Sequence, residues 1–237
     1  MLVAGVAGLM LAAGAAAYLA RDQTPPPLPL RVLADRPELL LLTSLPLVFG
    51  ENFSIDGGGS AALAALSRRY NIRPIALTDA ASLSGHRLLL MAHPRAQTAE
   101  ALVDLDAWVR EGGKALLLAD PALDWPSERP LGDALRPPPG FADTGLLQHW
   151  GMMLTPPEAR GPVREMLDGR GLTFSSPGRL TVPGCAILAG GIVARCAIGR
   201  GHATIVADAD LLEPELSGPG LGANLEAIAA ELDRFER

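Results

Sequence analysis

The sequence predicts an α/β domain with a mainly parallel central sheet, preceded by one N-terminal membrane helix. Short apolar runs of strand length alternate along the chain with amphipathic segments of helical period. Such an alternation is typical of a parallel sheet with helices on both faces. In addition, the first twenty residues contain no charged side chain, which indicates a membrane-spanning segment rather than part of the domain.

The N-terminal segment, MLVAGVAGLMLAAGAAAYLA, has the length of a membrane span. About 20 apolar residues in a helix cross a hydrocarbon core of roughly 30 Å. Arg21-Asp22 ends the apolar run, and Pro25-Pro26-Pro27 prevents a helix from continuing. A cleaved signal peptide is the alternative, with Ala15-Ala16-Ala17 as a cleavage site. Because the run is long and has no basic side chain before it, we expect a membrane anchor over residues 1–21.

The rest of the chain divides into a linker and one domain. Residues 22–38 are rich in proline and predict a polyproline-type spacer. Residues 39–237 have the length of a single domain with a full core. The net charge is −6 and no run of Lys or Arg occurs, which argues against nucleic acid as a partner. A proline-rich spacer before an acidic domain favours a cell-membrane protein whose soluble domain lies outside the cytoplasm.

The apolar runs and helix signals give the expected order of elements. Strands are expected at 39–43, 72–77, 87–92, 115–119 and 203–207. Helices are expected at 60–70, 98–111, 145–150 and 221–235. Ser60 and Thr98 are the predicted N-caps of the first two helices, and Gly112-Gly113 is predicted to end the second. The stretch 151–182 is predicted to be irregular with short strands.

The two cysteines fall on a predicted hairpin. Residues 182–188 and 192–198 flank Gly190-Gly191, which fits a two-residue turn. Pairing about that turn places Cys185 directly opposite Cys196, at a Cα separation within the range of a disulfide. Two small buried thiols in contact are the alternative to a disulfide.

Four side chains that can bind ligands follow predicted strands. His93 follows the third strand, Asp120 the fourth, and Asp208 and Asp210 the last. In an open parallel sheet the carboxyl ends of the strands line the ligand crevice, and these four groups could hold a divalent cation there. The alternative is structural, because aspartates at strand ends also cap helices and form turns.

Patterns typical of known catalytic or cofactor sites are missing. The run Gly57-Gly58-Gly59-Ser60 precedes a helix, but it lacks the spacing of a phosphate-binding or dinucleotide-binding loop. Cys185 and Cys196 precede strand rather than helix, and Ser44 is not flanked by glycines, so none fits a nucleophile elbow. The sequence therefore predicts no catalytic residue and no cofactor, and leaves open whether a metal binds.

An apolar loop follows the first strand. It contains Pro46, Leu47 and Phe49, and together with Trp125 and the prolines 137–139 it could form an apolar rim for a protein partner. The alternative is a loop that packs over the edge of the sheet.

Three blocks of sequence, taken together, resemble a known family. They are LDAWVREGGKALLLADP at 105–121, LQHWGM at 147–152 and GRGHATIVADADLL at 199–212. Their order is similar to that in the extracytoplasmic domain of the gliding-motility type ABC-transporter accessory proteins and of related membrane-anchored domains of unknown function. The resemblance covers residues 39–215, and it differs in that this chain is short and has no membrane helix at its C-terminal end.

The resemblance implies a flavodoxin-like, or class-I glutamine amidotransferase-like, fold without the amidotransferase nucleophile. It also implies a non-catalytic accessory domain that binds a ligand or a partner, such as subunits of an ABC-type transporter or another membrane complex. The alternative function is a hydrolase or metal-dependent enzyme that uses His93, Asp120, Asp208 and Asp210. A third hypothesis is a tethered scaffold that docks a partner through the loop at 46–50.

Overall fold

The computed structural model describes residues 25–50 and 59–236, whose centre is a seven-stranded sheet. The strands in chain order are β1 (Glu38–Thr43), β2 (Asn71–Pro74), β3 (Leu88–Ala92), β4 (Lys114–Leu118), β5 (Met153–Thr155), β6 (Pro162–Leu167), β7 (Arg170–Ser175), β8 (Arg179–Thr181), β9 (Ala186–Leu188), β10 (Val193–Ile198) and β11 (Gly201–Val206). The helices are α1 (Ala61–Ser67), α2 (Ala80–Leu83), α3 (Ala99–Arg110), α4 (Leu146–His149), α5 (Pro214–Ser217) and α6 (Leu221–Arg234).

The central sheet has the order β2-β1-β3-β4-β11-β10-β9. The first five of these strands are parallel. At one end of the sheet, β10 pairs antiparallel with β11, and β9 pairs antiparallel with β10. The mixed α/β class and the mainly parallel sheet that the sequence predicted are thus confirmed. The inner strands read as continuous apolar runs because both of their faces are covered, and Leu39, Leu90 and Leu116 are completely buried.

The predicted N-caps of α1 and α3, and the predicted end of α3, are present in the structure. The Ser60 side chain accepts a hydrogen bond from the Leu63 amide at 3.1 Å, and Thr98 accepts one from the Ala101 amide at 3.2 Å. Both caps satisfy amides that an α-helix leaves without an intrahelical partner. Helix α3 ends before Gly112, whose φ of +119° is a conformation that glycine adopts readily.

The hairpin of β9 and β10 has the predicted register but a different turn. Leu188 pairs with Val193 and Ala186 with Arg195, as the sequence indicated. The connection is a three-residue turn at Ala189–Gly191 rather than a two-residue turn, and all three of its residues have positive φ. The register survives because the longer connection is centred on the same residues.

Some elements differ from the expectation. Strand β2 ends at Pro74 rather than at residue 77, and helix α2 was not predicted. Proline has no amide hydrogen to donate, and β2 lies at the edge of the sheet, where its ladder can end early. The irregular stretch contains two small antiparallel sheets, β5 with β8 and β6 with β7. The hairpin of β6 and β7 packs on α6.

Within the described ranges no helix is long and apolar enough to cross a membrane. The predicted anchor at 1–21 lies outside those ranges, as does part of the predicted linker. The described part of the linker lies against the domain: Arg170 donates to the Pro26 carbonyl at 3.0 Å, and Arg31 donates to Asp233 at 3.0 Å.

Gly201 begins β11 where a side chain has no room. A Cβ at this position would overlap the carbonyl oxygens of Val109 and Gly113. We expect Gly201→Ala to lower the free energy of unfolding by about 1–3 kcal/mol, because α3 and β11 must move apart. The matched control is Gly222→Ala in α6, where a Cβ meets no atom within 4 Å and where alanine favours the helix. Urea unfolding of both variants measures the difference, and equal stabilities would contradict this packing.

Candidate functional site

The four predicted ligand-binding side chains lie at the carboxyl ends of their strands, as expected. His93, Asp120, Asp208 and Asp210 are completely buried. The structure brings the three aspartates close enough for their charges to act on one another. His93 instead makes its hydrogen bond to a loop that covers this edge of the sheet.

Asp120 joins two loops through backbone amides. Its Oδ1 accepts from the Ala122 amide at 2.8 Å, and its Oδ2 accepts from the Ala209 amide at 2.9 Å. The first bond closes the turn that follows β4. The second ties that turn to the loop after β11, 89 residues further along the chain.

Asp208 has the same role between two other segments. Its Oδ2 accepts from the Ser175 amide at the end of β7, and its Oδ1 accepts from the Leu211 amide, both at 2.7 Å. Each oxygen of this buried carboxyl therefore has a backbone donor. The predicted structural interpretation of the aspartates describes these bonds well, since they cap turns and fix loops.

One of the two carboxyl oxygens of Asp210 accepts a hydrogen bond, and the other has no hydrogen-bond partner. Its Oδ2 accepts from the Asp124 amide at 2.7 Å, whereas its Oδ1 is buried without a hydrogen-bond partner. Asp124 in turn forms an ion pair with Arg160 and accepts from the Ser176 hydroxyl at 2.6 Å. The bond from Asp124 attaches the long loop after β4 to the loop after β11.

Burial is the main cause of the raised pKa values in this cluster. It raises the pKa of Asp120 to about 6, against the opposing effect of its backbone donors. Burial and, second, the charge of Asp120 raise the pKa of Asp210 to about 8. The pKa of Asp208 is raised well above its usual range by burial and by the other two carboxyls. Carboxyls this close, out of water, favour the neutral form.

His93 stands in a conformation that few residues adopt. Its φ is +46°, and its ring Nε2 lies 2.9 Å from the Pro138 carbonyl oxygen, to which a protonated Nε2 donates. Burial lowers the pKa of His93 to about 4, so the ring is neutral at physiological pH. The His93 amide donates to the Leu118 carbonyl at 2.9 Å. His93 thereby connects β3, β4 and the loop above them.

The described part of the chain contains no group of three or more His, Cys, Asp or Glu side chains arranged to hold a metal ion. Five of the six oxygens of Asp120, Asp208 and Asp210 accept backbone amides instead. These hydrogen bonds indicate that the three carboxyls fix the positions of the loops, which is a structural role.

An open crevice of about 510 Å³ lies at the same edge of the sheet, at the carboxyl ends of β1 and β2. The side chains that line it are mostly apolar and include Pro46, Val48, Phe49, Ile75 and Leu135, with Arg129 beside them. Two of the three residues predicted to bind a partner, Pro46 and Phe49, thus lie in its wall. Phe49 is 64% exposed.

The third of these residues, Leu47, has a different environment. It is 1% exposed and belongs to the core, so its side chain is not available at the surface. The predicted rim also differs, because neither Trp125 nor the prolines 137–139 line the crevice: Trp125 is half-buried against the core, Pro137 is buried and Pro139 is exposed. Leu135 and Arg129 take their place. The sequence offered a weak signal for Leu135, since Leu131 and Leu135 are large apolar residues in a Pro/Gly-rich loop, and it offered none for Arg129.

Both walls of the crevice are held by polar groups at the strand ends. On one side, Thr43 Oγ1 donates to the Ala92 carbonyl at 2.8 Å and accepts from the Leu45 amide at 2.9 Å. On the other side, the loop that carries Leu135 is fixed by His93, Asp120 and Asp210 through the bonds described above. Hydrogen bonds at the strand ends thus hold both loops that line the crevice.

A second cavity, of about 640 Å³, lies at the opposite edge of the sheet. Charged groups dominate its lining, and several of them are satisfied within the protein: Arg31 pairs with Glu236, and Lys114 donates to the Phe235 carbonyl. Ligands of parallel sheets bind at the carboxyl ends of the strands, which favours the apolar crevice as the functional site.

Cys185 and Cys196 form a disulfide, with an S–S distance of 2.00 Å and a Cα separation of 4.7 Å. The bond joins the hairpin of β9 and β10 just beyond the last backbone pair of its ladder. It lies at the antiparallel end of the sheet, away from the crevice.

The fold and the crevice define a class of protein, an α/β domain with an apolar crevice at the carboxyl edge of its sheet. The chain belongs to the family described as ABC-type uncharacterized transport system, whose model matches residues 36–158. The matched residues include both walls of the crevice. This membership associates the chain with an ABC-type transport system.

Solved structures share the fold. The mmIFT52 N-terminal domain is similar with a TM-score of 0.55 and 14% identity, over 84% of this chain and 97% of that chain. An exo-β-1,4-mannosidase from Opitutaceae bacterium strain TAV5 has a TM-score of 0.51 and 17% identity, over 84% of this chain. The match covers 36% of the mannosidase, so this chain spans about a third of its length. No curated protein matches the chain significantly.

The raised pKa of Asp210 predicts a pH-dependent contribution to stability. Its folded-state pKa of about 8 lies above the ordinary value of 3.8, so the unfolded chain releases this proton at lower pH than the folded protein does. The stabilisation is therefore complete below about pH 4 and is lost as the pH rises towards 8. Relative to the wild type, Asp210→Asn should become more stable across this interval.

Urea unfolding at intervals between about pH 4 and pH 8 measures this difference. Glu158→Gln, which changes an exposed carboxylate, is the matched control and should parallel the wild type. A wild-type curve that runs parallel to that of Asp210→Asn would show that Asp210 ionises normally in the folded protein.

Proposed function

We propose that this protein is a non-catalytic accessory subunit of an ABC-type transport system, and that it binds a protein partner in the apolar crevice. The observation that carries the proposal is the position of the crevice. It lies within the region that the family model matches, at the carboxyl edge of the sheet, and its walls are mostly apolar. Preformed concave surfaces with few polar groups are typical binding sites.

The composition of the crevice favours a protein partner. Phe49 and Leu135 expose 64% and 68% of their surface at its mouth. Aromatic and aliphatic side chains that insert between partners supply much of the binding energy of protein interfaces. Arg129 beside them, which forms an ion pair with Asp133 at 3.7 Å, adds a charged group to the rim of this apolar surface.

The finer fold that we propose is flavodoxin-like, or glutamine amidotransferase-like without the nucleophile. The five parallel strands follow the order β2-β1-β3-β4-β11, which corresponds to the doubly wound order 2-1-3-4-5. In that order the chain changes direction between β1 and β3, and ligands bind near this point. The loop after β1 forms a wall of the crevice, which agrees with this rule.

We further propose that residues 1–21 anchor the protein in the cell membrane, that 22–38 connect anchor and domain, and that 39–237 form one domain outside the cytoplasm. The uncharged N-terminal segment supports the anchor. The disulfide between Cys185 and Cys196 supports the location, because disulfides persist in oxidising compartments and are rare in the cytosol.

Affinity purification from the native membrane in mild detergent tests the proposed partner. We expect the wild type to recover a permease or ATPase subunit of an ABC transporter in near-stoichiometric amount. Phe49→Asp should reduce this recovery by at least about tenfold, because a carboxylate in an apolar interface must be desolvated. Val103→Asp is the matched control, since Val103 is 68% exposed on α3 and does not line the crevice.

Two outcomes would contradict the proposal. Recovery of the protein alone from wild-type membranes would argue against a stable complex. Undiminished recovery with Phe49→Asp would place the interface elsewhere on the surface. Circular dichroism of both variants checks that neither substitution unfolds the domain.

A further inference from the structure

An exposed apolar strip lies on the segment that precedes β1. Leu30, Val32 and Leu33 expose 77%, 66% and 75% of their surface. We call these three residues the apolar strip. Scattered single apolar residues are normal on a protein surface, but three large ones within four positions form a patch that marks contact with a partner or a membrane.

Arg31 holds the apolar strip outward. Its guanidinium turns towards the domain, where it donates to Asp233 and Glu236, each at 3.0 Å, and lies 5.2 Å from the centre of the Tyr70 ring. Val32 has φ −67° and ψ 151°, which is polyproline II geometry, so successive side chains here turn by about a third of a circle. Because Arg31 is fixed inward, its neighbours Leu30 and Val32 face away from the domain.

The same segment is attached further upstream. Arg170, which is buried, donates to the Pro26 carbonyl at 3.0 Å and also pairs with Glu226 of α6 at 2.8 Å. Arg69, also buried, donates to the Pro29 carbonyl. The segment from Pro25 onward therefore follows a defined path along the domain.

We propose that the apolar strip inserts into the interface of the bilayer, so that the domain lies on the membrane with this face towards it. This inference rests on the proposed anchor at residues 1–21. Pro25 is five residues beyond Ala20, and an extended chain of that length spans at most about 18 Å. The attached segment therefore begins close to the membrane surface, and the apolar strip follows within a few residues.

The charges around the apolar strip favour insertion driven by apolar area rather than by attraction to acidic lipids. Asp233 and Glu236 neutralise Arg31, so the strip does not carry a basic patch that would select acidic lipids. Amphipathic segments bind membranes in proportion to the apolar area that they insert. We therefore expect the strip to insert into vesicles of phosphatidylcholine alone.

Site-directed fluorescence on the full-length protein tests this inference. The sequence has two cysteines, both in the disulfide, so one introduced cysteine can be labelled selectively. An environment-sensitive dye is placed at Leu33→Cys and, as the matched control, at Val103→Cys on α3. Both proteins are reconstituted into phosphatidylcholine vesicles with and without a lipid-borne quencher, and flotation measures membrane attachment.

We expect both proteins to float and the dye at position 33 to be quenched at least about threefold more strongly than the dye at position 103. Arg31→Gln combined with Leu33→Cys should lower that quenching towards the control value, because the strip is no longer held outward.

Other outcomes overturn the inference in distinguishable ways. If the protein floats but both dyes are quenched equally, the result supports the membrane anchor and contradicts insertion of the apolar strip. If the protein fails to float, the anchor fails and the inference fails with it. Concentration-dependent self-quenching at position 33 in vesicles without quencher would assign the strip to a second copy of the chain instead.

Discussion

The structure depends on hydrogen bonds between buried carboxyls and backbone amides at the carboxyl edge of the sheet. Asp120, Asp208 and Asp210 each accept such bonds, and together they connect the loops after β4, β7 and β11. A buried polar group costs free energy unless it is bonded, and an unpaired buried charge costs more. Protonation reduces this cost, because neutral carboxyls can share the site without strong repulsion. The pKa values of Asp208 and Asp210 are raised for this reason.

This constraint explains why residues that often perform chemistry have a structural role here. The carboxyls and the His93 ring are engaged with backbone groups beneath the loop that carries Arg129 and Leu135. That loop and the loop after β1 line the crevice, and hydrogen bonds from buried or half-buried side chains hold both of them.

Most of the fold was predictable from local signals, whereas the site was predictable only in part. The apolar runs identified the parallel strands, and Ser60 and Thr98 identified two helix starts, because these signals act within a few residues. Placement of the four polar residues at strand ends followed from the topology. The donors to Asp208 and Asp210 come from Ser175 and Asp124, distant in sequence, so tertiary structure alone selects them. For the same reason the sequence did not show that Leu47 is buried or that Leu135 replaces the predicted rim.

Photo-cross-linking in the native membrane tests the central claim most directly, that the proposed partner binds in the crevice at the carboxyl ends of β1 and β2. A photoreactive amino acid replaces Leu135 in one protein and Val103 in another, and mass spectrometry identifies the products. The account predicts a product between position 135 and a subunit of an ABC-type transport system, with no such product from position 103. Absence of a product at position 135, or the same product from both positions, would contradict it.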